Sequence, residues 1–365
     1  MFYAPQSGGV RRYLTTKHEW LTTKTHVRHT IVAPGAAERV ATDGVHRLAS
    51  LVPLADGYRL PLHGDYWRRR LVGLRPDLIE AGDPYIPAWA SLAAAHELGV
   101  PAVAFCHAWP TQLADEWLGG WCRPAVAAYV GALYRRFDMV LAASQYVAGR
   151  LRAFGVERVM MQPLGVDTEA FHPNRRDPLL RRRLGLSDAA KLLVFAGRFV
   201  HQKNIPVLIE AARLLGPDYH LLLIGASNDG PSRRGNATVL PFQSGGLPGL
   251  LASCDVLVHA GELETFGLIV LEAFACGIPA VVVSAGAVAE LVSPESGAVV
   301  APRNPGEMAA AIRDVVARDP AALGAAARDW VAHHHSIDAV LHSLFGHYAR
   351  LVGSAPATLV PARQT

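Results

Sequence analysis

Runs of consecutive apolar residues constrain this chain most. Leu221-Leu222-Leu223-Ile224-Gly225 and Ala280-Val281-Val282-Val283-Ser284 are apolar on successive residues rather than on alternate ones. A strand with one wet face alternates; a strand buried on both faces does not. Such runs recur at intervals filled by longer stretches of helical period. Buried strands alternating with helices predict α/β folding, with parallel sheets covered by helices on both faces.

The first half offers strands at Val27–Val32, Val45–Val52, Leu78–Ala81, Ala102–Cys106, Met139–Ala142 and Val159–Gln162, with helices at Ile86–Leu98, Ala125–Phe137 and Gln145–Phe154. The second half offers strands at Lys191–Ala196, His220–Ile224, Thr238–Leu240, Val256–His259 and Ala280–Val283, with helices at Ile205–Leu215, Phe266–Cys276 and Pro305–Ala317. Between the halves the period lapses into a segment rich in Pro, Asp and Arg, from Gly165 to Asp188. This predicts a doubly wound domain over 1–167, a linker over 168–190 and a second such domain over 191–335. Ligands of these folds sit beyond the carboxyl ends of the strands, so the expected site is a cleft between the domains. The tail 354–365 is expected to be disordered.

Composition narrows the class. Hydrophobic residues make up 51% and charged residues 18%, which excludes a disordered chain. A net charge of +4, without a basic arm, argues against a nucleic-acid partner. The four cysteines form no CxxC pair, so neither a zinc ribbon nor a disulfide scaffold is expected, and a cytoplasmic setting follows. The N-terminus has no signal-peptide pattern. The longest apolar stretch, Gly277–Ala289, contains Pro279 and Gly286 and is too short to span a bilayer. Peripheral contact with a membrane surface stays open. The helix Val10–Thr23 mixes Arg11, Arg12 and Lys17 with Val10, Tyr13, Leu14, Trp20 and Leu21, which suits either an interfacial helix or an ordinary domain helix.

Four segments carry chemistry. In GELETFGLIVLEAFACGIP, Glu264 precedes a helix expected to start near Phe266, and Glu272 follows eight residues later. That spacing sets both carboxylates near one side, about 12 Å apart along the axis. Gly267 admits a ligand close to the backbone, and the N–H groups of Gly267, Leu268 and Ile269 would face an anion. A carboxylate beside an anion site suits sugar or ribose hydroxyls. In VFAGRFVHQKNIP, Arg198 and Lys203 follow a buried strand, and two cations there suit a pyrophosphate. In PQSGGVRRY, Gly8 and Gly9 precede a helix, but the pattern is not GxGxxG, which disfavours a nicotinamide enzyme. In AFCHAWP, His107 closes a buried strand, and Trp109 offers a platform for a sugar ring. The triplet His333–His335 lacks partners at metal spacing and reads as a solvated turn.

In this order, PxxGG, the strand-end histidine, SQYV, GVDTEAFHP, GRFVHQKN and ETFGLIVLE resemble the retaining GT-B glycosyltransferases of family 4, the glycosyl transferases group 1 type. The resemblance covers about residues 2–350. It implies two Rossmann-like domains and a final helix, 336–353, that crosses back to the first domain. It also implies a nucleotide-diphosphate-sugar donor held by the C-terminal domain, with GDP-mannose slightly favoured over a UDP-hexose. The acceptor would be a glycan, a lipid-linked glycan or a small molecule on the N-terminal side, near Tyr13 and Trp109. By resemblance, Gly9 offers its N–H to the distal phosphate beside Gly8, and Arg198 and Lys203 hold the diphosphate. Glu264 binds the sugar hydroxyls and Glu272 the ribose. His107 lies near the sugar, and Gly225, Pro241, Phe242 and Phe266 line the donor site. With no DxD-like motif, neither a metal nor a cofactor is expected. Three departures stand out. The first strand is either clipped to Phe2–Ala4 or lies upstream, Asn204 replaces the usual glycine at a helix cap, and Leu164 replaces an asparagine before Gly165. A GT-B sugar-nucleotide epimerase and a non-catalytic nucleotide-sugar-binding subunit remain the alternatives.

Overall fold

The structure is a computed structural model that describes residues 9–40, 44–50, 52–53, 58–107, 120–225, 231–241 and 246–353. Phe2–Ala4, Gly8, Trp109, Phe242 and the tail 354–365 lie outside the described residues. The chain divides into two compact units, Met1–Pro163 with Leu341–Thr365, and Leu164–Val340.

In the first unit, strands Ile79–Ala81, Ala102–Cys106, Met139–Ala142 and Val159–Met161 form a parallel sheet in sequence order. Its centre is apolar on both faces, with Val103, Phe105, Val140 and Leu141 fully buried. Burying one such side chain contributes about 1.5–3 kcal/mol. A second sheet pairs Ile31–Gly35 in parallel with Val45–Ala49, and Arg39–Val40 adds an antiparallel edge. The first of these strands therefore starts four residues later than the apolar run Val27–Val32 suggested. Val52–Pro53 and Arg59–Leu60 make a short antiparallel pair.

The helix Gly9–Lys24 turns Tyr13, Lys17, Trp20 and Leu21 inward. These include the aromatic residues that an interfacial helix would present to lipid, so the fold spends them on its own core. Lys17 is 2% exposed and points its ammonium at both oxygens of Glu80, 2.9 Å each, and at Tyr348 Oη, 2.8 Å. Tyr348 belongs to the helix Ile337–Val352 and also donates to Glu80.

The second unit carries a seven-stranded sheet in the order Ser232–Arg234, Ala237–Pro241, Tyr219–Gly225, Lys191–Ala196, Val256–His259, Ala280–Val283, Gly297–Val300. All pairs are parallel except the first, an antiparallel edge. The parallel strands follow sequence order outward in both directions from Lys191–Ala196 and Val256–His259. A sheet of this kind has its topological switch point between those two strands, and ligands bind beyond their carboxyl ends. The helix Ile205–Leu215 buries Leu208, Ala211, Ala212 and Leu215, the i, i+3, i+4, i+7 stripe of a surface helix.

The longest elements that escaped the sequence reading are the helices Gly64–Leu74 and Pro320–His334, and the sheet-edge strand Gly297–Val300 escaped it too. The histidine triplet is not a solvated turn. His333 and His334 end the helix Pro320–His334, and His335 is buried with its Nδ1 3.1 Å from Leu164 O.

Candidate active site

The two strands at the switch point of the second unit deliver the polar residues. Beyond Ala196 the chain passes Gly197 and the exposed Arg198, makes the short turn His201–Lys203, and enters the helix Ile205–Leu215 with Pro206 in its first turn. Asn204 joins turn to helix with φ 49°, the left-handed conformation in which glycine is at home. Its side chain does not cap the helix as the sequence suggested. It donates instead to Ala260 O, 3.0 Å, and to Glu262 Oε1, 2.8 Å. Arg303 grips the same Glu262 carboxylate, 2.6 and 3.1 Å. The loop after Lys191–Ala196 is thus tied to the loop after Val256–His259.

The second loop runs from Ala260 to Gly267. Lys203 and Glu264 form an ion pair across the two loops. Burial, and then the charge of Arg198, draw the Lys203 ammonium down to about 8. The carboxylate in contact acts in the opposite direction and favours the charged form. Glu264 also meets His259 Nε2 at 3.1 Å. Its own carbonyl accepts from Ala287 N, 2.9 Å, which pins the loop to the next one.

The helix beyond starts at Leu268, not at Phe266, because Gly267 serves as its N-cap with φ 99°. A side chain at Gly267 would be strained there, and its Cβ would come within 2.7 Å of Val288 Cγ1. A first turn of helix leaves N–H groups without intrahelical acceptors, here those of Gly267, Leu268 and Ile269. Glu264 therefore lies outside the helix, so the two carboxylates are not two turns of one helix. Glu272 sits inside it at 4% exposure, and Phe266 is buried between the two. Gly225 and Pro241 end the neighbouring strands Tyr219–Gly225 and Ala237–Pro241.

The first unit holds its own group at the carboxyl end of its sheet. His107 follows the strand Ala102–Cys106 and is 8% exposed. Phe105 stacks on its ring at 4.1 Å, and Tyr13, itself buried, packs against it at 5.2 Å. Burial draws its imidazole down to about 4, against the pull of the Glu80 carboxylate. Gly9 opens the helix Gly9–Lys24 and is exposed. Among the described residues no group of His, Cys, Asp and Glu could hold a metal ion. No helix among them is long and apolar enough to cross a membrane.

Two family models match. Glycosyltransferase Family 4 covers residues 7–170, and Glycosyl transferases group 1 covers residues 177–330. The chain is also 32% identical over 348 residues to a GDP-mannose-dependent alpha-(1-6)-phosphatidylinositol dimannoside mannosyltransferase of Mycobacterium tuberculosis, an alignment spanning 87% of this chain and 86% of the relative. The chain belongs to glycosyltransferase family 4. A second relative of this glycosyltransferase, a GDP-mannose-dependent alpha-mannosyltransferase of Mycobacterium tuberculosis, is 31% identical over 86% of this chain and 85% of its own. Among solved structures, Anabaena Alr3699/HepE in complex with UDP and glucose superposes with a TM-score of 0.73 at 18% identity, over 95% of this chain and 97% of that one. WaaG, a glycosyltransferase involved in lipopolysaccharide biosynthesis, gives 0.68 at 14% identity, over 95% and 97%. The fold is GT-B. This glycosyltransferase is an enzyme that uses a nucleotide-sugar donor.

Of the residues singled out in the sequence, Lys203 and Glu264 are in direct contact, and Arg198 lies close enough to lower Lys203. The sequence reading missed His259, Glu262 and Arg303. Glu262 was visible as a second acidic residue two positions before Glu264. His259 left no signal, since it reads as the end of a buried strand.

Proposed function

We propose that this glycosyltransferase moves a mannosyl group from GDP-mannose to a hydroxyl of a glycan or lipid-linked glycan acceptor. Anomeric configuration is retained and no metal ion takes part. The observation that carries this reading is the Lys203–Glu264 ion pair at the switch point, with Arg198 close enough to act on Lys203 and the helix Leu268–Ala275 starting four residues after Glu264. Cations and helix amides suit a diphosphate, and a carboxylate beside them suits sugar hydroxyls. The donor choice rests on the two mannosyltransferase relatives, which match most of this chain.

In this scheme Arg198, Lys203 and the amides of Gly267, Leu268 and Ile269 take the diphosphate. Glu264 accepts from the sugar hydroxyls and Glu272 from the ribose, while Gly225 and Pro241 flank the base. His107 serves the sugar as a neutral hydrogen-bonding group, and Gly9 offers its N–H to the distal phosphate. The acceptor oxygen attacks the anomeric carbon from the face that the diphosphate leaves. The new C–O bond forms, the bond to the phosphate oxygen breaks, and the acceptor proton passes to that oxygen. Fixed cations and amides aimed at the developing negative charge lower the barrier without reorganising.

The test is turnover with GDP-mannose, GDP-glucose and UDP-glucose in the presence of EDTA, with product anomers read by NMR. An α-linked mannoside from GDP-mannose supports the scheme. A β-linked product rejects retention, loss of activity on chelation rejects metal independence, and preference for a UDP-sugar rejects the donor.

A further inference from the structure

His259 ends the strand Val256–His259 and is 1% exposed. A buried histidine is often no more than a core residue with its nitrogens satisfied. Here three contacts on different sides of the ring fix it more narrowly. The Phe195 ring lies at 5.7 Å from it. Gly261 N–H donates to Nδ1 at 3.2 Å. Nε2 lies 3.1 Å from Glu264 Oε1. A neutral imidazole carries one proton, and a nitrogen that accepts cannot hold it. The Gly261 amide therefore places the proton on Nε2, where it points at Glu264. Gly261 must stay small for this to hold, because a Cβ there would come within 2.6 Å of His259 Cε1 and 3.3 Å of Lys203 Cδ.

We propose that His259 is the positioning residue for Glu264. Its Nε2–H holds Oε1 of the carboxylate in place, while the Lys203 ammonium is free to turn from Glu264 to the donor's diphosphate. The proposal rests on the reading of Glu264 as the sugar-binding carboxylate. It adds why Glu264 needs a second partner. Lys203 shares Oε1 with His259, and a diphosphate dianion competes for that ammonium. A carboxylate held by Lys203 alone would lose its anchor when the donor arrives. An uncharged donor inside the protein does not face that competition. Burial, reinforced by the Lys203 charge, keeps the imidazole neutral down to about 3, so it does not switch roles across the working pH range.

The test is a cycle in the full chain comprising His259→Phe, His259→Gln, Glu264→Gln and the doubles with Glu264→Gln, each checked for folding by thermal denaturation. The Gln amide can place an N–H near the position of Nε2, and Phe cannot. His259→Phe is expected to lower kcat about 10- to 100-fold, the range of a hydrogen bond to a charged group. His259→Gln should recover most of that loss. In the Glu264→Gln background, His259→Phe should change kcat less than about twofold, because residues acting as a unit are not additive. Equal losses in both backgrounds, or a Gln variant no better than Phe, overturn the proposal.

Should His259→Phe fail to fold, long-range ¹⁵N–¹H correlation of the histidines in the unmodified enzyme decides. A neutral Nε2–H tautomer at pH 6 whose shift responds to Glu264→Gln supports the contact. An Nδ1–H tautomer or an imidazolium overturns it. Full transfer by Glu264→Gln removes the sugar-site reading, and with it the role of His259 in turnover. A damaged Glu264→Gln with an additive His259→Phe removes the positioning role alone.

Discussion

Lys203 and Glu264 stand in contact across two loops that follow different strands of one sheet. The group assigned to the diphosphate and the group assigned to the sugar are therefore built as one charged pair. Either one changed alone leaves the other with an altered charge balance in a largely enclosed setting.

Lys203→Ala should lower kcat about 10²- to 10³-fold, the usual cost of losing one preorganised stabiliser of developing negative charge. Lys203→Arg should not restore full activity, because a planar fork does not replace a compact ammonium. Steady-state kinetics with a saturating acceptor check both, and near-normal turnover by Lys203→Ala would remove it from the diphosphate site.

The pH profile should carry one limb from Lys203 and none from His107. The Lys203 ammonium is charged below its value of about 8 and loses its proton above it. So kcat/KM for the donor should fall as pH rises past about 8, and the Glu264 carboxylate moves that limb upward rather than downward. His107 stays neutral above about 4, so activity should show no inflection near 6.5. Kinetics between pH 5 and 9.5 test both statements, and Lys203→Arg should abolish the alkaline limb.

These residues differ in how far the sequence exposed them. The strand Lys191–Ala196 was readable because every inward and outward position after Lys191 is apolar, and its bounds came out unchanged. Glu264 was readable because a glycine and a helix start follow it. His259 was not, since its meaning depends on a carboxylate that a bend of the chain brings back to it. The helix Gly64–Leu74 was missed because Arg68, Arg69 and Arg70 interrupt its apolar pattern; Arg68 and Arg69 pair with Asp65, and Arg70 with Glu38. The burial of Lys17 left no mark in the sequence, because its partner Glu80 lies 63 residues away.

Lys17→Met should destabilise the protein by about 3–5 kcal/mol, because it leaves the Glu80 carboxylate buried without its cation. Burial alone would raise the Glu80 carboxyl, but the Lys17 charge and the hydrogen bonds from Tyr348 and Lys17 outweigh it and hold it below its usual 4.5. A depressed carboxyl stabilises above the unfolded value and loses that contribution as pH falls through the folded one. Without Lys17, burial raises the Glu80 carboxyl, so the gap between the parent and Lys17→Met should be largest at neutral pH and shrink as pH falls and the buried carboxylate takes up its proton. Denaturant titrations at pH 7 and pH 3.5 check it.

Gly267→Ala should damage the donor site more than the fold. Alanine at φ 99° is strained, and its Cβ would press on Val288. The cost should be about 1–3 kcal/mol in stability, with a rise in donor KM as the first amides of the helix Leu268–Ala275 shift. Thermal denaturation and donor titration measure the two effects separately.

The most direct test of the account is transfer from GDP-mannose to glycan and lipid-linked glycan acceptors by the parent enzyme and by Glu264→Gln, with EDTA present and product followed by mass spectrometry. The account predicts a mannosylated product and free GDP from the parent, and a rate lower by about 10²-fold or more from Glu264→Gln. Equal rates from the two proteins would contradict it.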